Sequence, residues 1–139
     1  MTPKEESELL LNALLPFALN QLKKRGGFYP FGAVLLNNDE ISFTAVYEGE
    51  EHPDSAELIN KLTEMHCEEA AQGKIKASGI CWDAKVSLDN GTPSDAVIVS
   101  LEHKDSYTVI VGQPYRVGLF KKLHLGAMFA QSGKNDIFR

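Results

Sequence analysis

Apolar residues return at helical spacing through Leu10, Leu14, Phe17, Ala18 and Leu22, which predicts an amphipathic helix at the start of the chain. Thr2 is placed to cap it, Pro3 suits the first helical position, and Glu5 completes a capping box. Pro16 has no N–H to give the carbonyl of Asn12, so a kink or break is expected there. Lys23, Lys24 and Arg25 fall in the last turn, where positive charge complements the helix dipole, and Gly26 or Gly27 supplies the left-handed cap.

The period then changes. Phe31–Leu36 is nearly all apolar, the pattern of a central strand covered on both faces. Asn37, Asn38 and Asp39 make a turn. Ile41, Phe43, Ala45 and Tyr47 next alternate with Ser42, Thr44 and Val46, a half-buried second strand. A second helix starts near Asp54 or Ser55, with Asp54 and Glu57 as another capping box. Leu58, Ile59, Leu62, Met65, His66 and Ala70 mark its buried face, and Gly73 ends it. From Ile75 the alternation is strict, with Ile80, Trp82, Ala84, Val86 and Leu88 facing one way and Cys81, Asp83, Lys85 and Ser87 the other. Asp89-Asn90-Gly91 turns the chain into a fourth strand, where Val97, Val99 and Leu101 alternate with Ile98, Ser100 and Glu102. His103 to Ser106 turns it again, and Tyr107–Val111 makes a fifth strand that stops by Pro114. Residues 119–130 mix apolar and basic positions, consistent with a short strand or one or two helical turns.

The order α-β-β-α-β-β-β predicts a single α+β domain over residues 1–139. Its simplest form is a five-stranded antiparallel sheet in the order 2-1-5-4-3, with helices packed on it and a short C-terminal element. From residue 3 to residue 130 this layout resembles the roadblock and longin group of profilin-like domains. That resemblance implies dimerisation through a helix or a sheet edge. Four segments, GGFYPFG at 26–32, EHPDS at 51–55, LEHKD at 101–105 and PYR at 114–116, resemble those of a family of small uncharacterised bacterial proteins. This second resemblance implies no activity.

Composition narrows the partners. A hydrophobic fraction of 43% and a charged fraction of 24% belong to an ordinary globular chain. The net charge of −5 gives no electrostatic reason to seek phosphate backbones or anionic lipid, so neither a nucleic acid nor a membrane is expected as partner. MTPKEESELL lacks the basic start and apolar run of a signal peptide, and no stretch approaches the roughly 18 apolar residues of a membrane span. A cytoplasmic protein is the expectation. Cys67 and Cys81 match no zinc or redox spacing and read as small buried or half-buried residues.

Two surfaces are candidates for binding. Phe28, Tyr29 and Phe31 beside Pro30 would meet Tyr115 and Arg116 if the first and fifth strands adjoin, and aromatics with arginine are the residue types that anchor protein interfaces. Glu48, Glu50, Glu51, His52 and Asp54 form an acidic segment suited to a basic partner, although it lacks the spacing of a calcium loop. An acid–base site drawn from His52, Asp83, Asp95, Glu102, His103 and Asp105 would need two titratable groups converging in a cleft. Glu102 and His103 are neighbours on a strand and must point to opposite faces, so they form no dyad. His66 and Cys67 have no metal-binding partner one turn away, and His66 falls beside the buried stripe as a core histidine. The residues thus favour a non-catalytic protein-interaction module without metal or cofactor, self-associating or binding a protein. An antidote that occludes a basic toxin and a small Asp/His enzyme are the alternatives.

Overall fold

The computed structural model describes residues 1–46 and 53–139. Helix α1 runs from Pro3 to Arg25, followed by β1 (Phe31–Leu36) and β2 (Ile41–Thr44). Helix α2 (Ser55–Ala71) leads to β3 (Ile75–Ser87), β4 (Pro93–His103) and β5 (Tyr107–Val117). A 3-10 turn at Leu119–Lys121 and two short strands, β6 (Leu123–Leu125) and β7 (Phe129–Ser132), complete the order.

The local signals act as read, apart from the Asp54–Glu57 capping box: Asp54 accepts from the Ala56 N–H instead of from Glu57. The Thr2 side chain accepts from the Glu5 N–H and the Glu5 carboxylate accepts from the Thr2 N–H, and Gly26 closes α1 in the left-handed conformation. Asp54 caps α2 by accepting from the Ala56 N–H, and Gly73 at φ +69° follows its last turn. Pro16 does not break α1. It lies on the exposed side, while buried Leu14 and Ala18 hold the helix on the sheet on either side of it.

The sheet differs from the expected one. Among the described residues it has seven antiparallel strands in the order β2-β1-β3-β4-β5-β6, with β7 also paired to β5. β1 therefore pairs with β3, from Phe31 opposite Cys81 to Leu36 opposite Ile75, and not with β5. The physical reason lies in the chain after β5. Short turns bring β6 and β7 back onto β5 and occupy the side that the order 2-1-5-4-3 reserved for β1. β5 also runs through Pro114 instead of stopping there. Its second neighbour changes from β7, last paired at Gly112, to β6, first paired at Tyr115, so the missing N–H falls where neither strand is in register.

Each helix covers one face. On the α1 side, Leu10, Leu14, Ala18 and Leu22 pack against Phe31, Ala33, Leu35, Ala77, Cys81, Val97, Val99, Leu101, Val111 and Tyr115. A Cβ on Gly79 would stand 2.6 Å from Leu14 Cδ1, so a side chain there would force the buried Leu14 side chain to move. On the α2 side Leu62 packs with Val34, Ile75, Ile80 and Ile137. The last residues cross this face, held by the buried Glu102 carboxylate. It accepts from the N–H groups of Asp136, Ile137 and Phe138 at 2.7, 2.9 and 3.3 Å.

Candidate functional site

β1 and β2 carry alternate side chains to the two faces. Ala33 opposite Phe43, and Leu35 opposite Ile41, put the apolar side chains of β2 on the α1 face. There α1 covers β1 but does not reach across β2. Phe43 is 51% exposed and Phe17 of α1, which meets it at 5.8 Å between ring centroids, is 46% exposed. Phe31 is buried between them, 5.1 Å from Phe17 and 6.5 Å from Phe43, and Phe28 meets Phe31 edge-on at 5.8 Å. The left-handed cap at Gly26 stops α1 here and turns the chain into this knot. The result is an open groove of about 860 Å³ walled by Phe17, Gln21, Arg25, Phe28, Tyr29 and Val46.

The chemistry of this groove is apolar contact at an open sheet edge. β2 has β1 on one side and ends the sheet on the other among the described residues. Its segment Ile-Ser-Phe-Thr carries no charge, proline or bulge of the kind that protects natural edge strands. The opposite face of β2 is fixed from below. Thr44 Oγ1 bonds His66 Nε2 at 2.9 Å, and His66 Nδ1 bonds Ser78 Oγ at 2.7 Å. His66 is fully buried, and that burial lowers its pKa to about 4, so it holds α2 to β2 and β3 as a neutral ring.

The other expected site residues are dispersed. β3 and β4 stand between β1 and β5, so the expected adjacency of Phe28, Tyr29 and Phe31 with Tyr115 and Arg116 is corrected. Tyr115 is buried in the α1-side core with its hydroxyl donating to Asp83 Oδ1 at 2.8 Å, while Arg116 is exposed. Glu48, Glu50, Glu51 and His52 lie outside the described residues, and Asp54 is the exposed cap of α2. Asp83 meets Tyr115 and no described histidine. Partial desolvation raises its carboxyl above the usual range, opposed by the hydrogen bond from Tyr115. Asp95 pairs with Lys85 at 2.7 Å. Glu102 and His103 do face opposite ways. Glu102 holds the tail on the α2 side, and buried His103 donates from Nε2 to Glu6 at 3.1 Å while its Nδ1 accepts from the Asp105 N–H. No cluster of three or more metal-binding side chains occurs among the described residues.

Glu6 escaped the sequence reading. It bridges His103 and Lys76, and Lys76 continues to Asp39, tying α1 to β3 and to the β1–β2 turn. Its position one turn before Leu10, on the buried stripe, is the signal that marks it. Compared with known proteins, the chain matches no family model, no curated protein and no solved structure. None of the helices among the described residues is long and apolar enough to cross a membrane.

Proposed function

We propose that this domain works by binding protein, and that its first partner is a second copy of itself, joined along the β2 edge. The observation that carries the reading is the uncharged edge strand with half-exposed Phe43 and Phe17 beside it. Two such edges related by a two-fold axis pair antiparallel and give each aromatic a counterpart from the other subunit. The backbone groups of Ile41–Thr44 that face outward then find partners, and the groove beside Phe28 and Tyr29 lies next to the new contact.

Symmetry counts every contact twice. Full burial of a phenylalanine side chain contributes about 1.5–3 kcal/mol, so Phe43→Lys is expected to weaken self-association by roughly 100-fold or more. Sedimentation equilibrium over a concentration series tests this. The wild type should fit a monomer–dimer equilibrium and Phe43→Lys a monomer, with the melting temperature of the dilute protein little changed. A wild type that stays monomeric up to its solubility limit removes self-association. A Phe43→Lys dimer as tight as the wild type moves the contact away from β2.

A further inference from the structure

The far edge of the sheet carries a different surface. At the β5–β6 turn Leu119 is 85% exposed and Phe120 is fully exposed, with Val117 and Leu125 more than half exposed behind them. Arg116, Lys121 and Lys122 flank this apolar tip and are exposed. From Tyr107 to Asn135 the sequence holds four lysines and arginines and no aspartate or glutamate, in a chain with 14 basic and 19 acidic residues. The net charge of −5 therefore averages over a cationic segment of the chain and a strongly acidic remainder.

The backbone gives a second, independent sign. Lys122 N–H bonds the Leu119 carbonyl around Phe120 at φ 60° and Lys121 at φ 59°. Two successive positive φ angles are the requirement of the tight mirror-image hairpin turn, which Asn and Gly fill at least cost. This chain puts a phenylalanine and a lysine there. The choice costs stability, and it projects a fully exposed aromatic ring from the tip.

We infer that the Leu119–Lys122 tip is an insertion point for an anionic lipid bilayer surface. The tip is convex and its apolar pair is ringed by cations, so it fits a soft apolar layer beneath negative headgroups. A second copy of the same tip would bring Lys121 and Lys122 against their own counterparts, which argues against self-contact here. Two side chains and three cations give weak, reversible adhesion, screened by salt. The β2 edge lies at the opposite end of the sheet order, so a dimer formed there leaves both tips exposed.

Pelleting with vesicles tests the inference. Phosphatidylcholine vesicles containing phosphatidylglycerol should carry the wild type down at low salt, and pure phosphatidylcholine vesicles should not. The double variant Phe120→Asn/Lys121→Gly suits the turn better, so it should melt higher than the wild type while its vesicle binding falls by about tenfold or more. Lys121→Glu/Lys122→Glu should lose the preference for anionic lipid. Absence of wild-type binding to the anionic vesicles overturns the inference, as does undiminished binding of the Asn-Gly variant. Binding to soluble polyglutamate without binding to vesicles overturns it in favour of an acidic protein.

Discussion

His66 shows how a single side chain can set the response of the whole domain to acid. Its ring is buried between Thr44 and Ser78, and it stays neutral until the pH nears 4. An unfolded chain takes up that proton near pH 6.5. The native state therefore loses stability as the pH falls from about 6.5 towards 4, by an amount on the order of 3 kcal/mol, and keeps it above that window. Melting curves at about pH 7 and about pH 4.5 should show a drop in the wild type that His66→Gln largely lacks. Ser7 offers the opposite case. Its hydroxyl is buried in α1 with no hydrogen-bond partner among the described residues. Ser7→Ala removes that orphan and improves helix propensity, so it should raise stability by about 1 kcal/mol in a urea titration. The burial of His66 was legible from helical phase. Its partners Thr44 and Ser78 were not, because they come from two different strands, 22 and 12 residues away in the chain.

Elements were legible where the chain announces them locally. Both N-caps, the Gly26 cap and the turns at Asp39, Gly91 and Ser106 follow from residue type and spacing, since each is decided within four or five residues. Pro114 misled the reading because a proline ends a strand only when a neighbour needs its N–H, and neighbours cannot be read from the strand itself. The segment after β5 was illegible for the same reason. β6 and β7 are three and four residues long and owe their form to pairing with β5. The Glu102 anchor belongs to this scale. Glu102→Ala should leave three backbone N–H groups without their acceptor and cost roughly 2–4 kcal/mol. Hydrogen exchange at residues 136–138 should speed up in that variant before exchange in β4 or β5 does.

For the whole molecule, the sequence conveyed the α+β class and the first five strands, and missed β6, β7 and the strand order. Hairpin logic fixes neighbours that follow one another in the chain, but β1 could pair with either β3 or β5 across α2, and periodicity treats the two alike. The candidate aromatic surface was half legible. Phe28, Tyr29 and Phe31 lie at the groove as their position after the helix cap suggests, whereas Phe17 and Phe43 were read as core because their spacing fits it. The uneven charge matters at this scale too. Self-association through the uncharged β2 edge should be nearly indifferent to salt, while adhesion through the Leu119–Lys122 tip should fade as salt rises.

The β1–β3 seam has a kinetic consequence. β1–β2 and β3 through β7 are assembled from near neighbours in the chain, and among the described strand pairings the seam alone spans α2, from Phe31 to Cys81 at its widest. Closing that loop is the slow entropic step of such a fold. Substitutions that weaken the seam, such as Ala33→Gly beside Gly79, should slow refolding. Those at the β5–β6 turn should act mainly on the unfolding rate. Stopped-flow chevrons of the two variants would separate the strands that wait for the seam from those that form ahead of it.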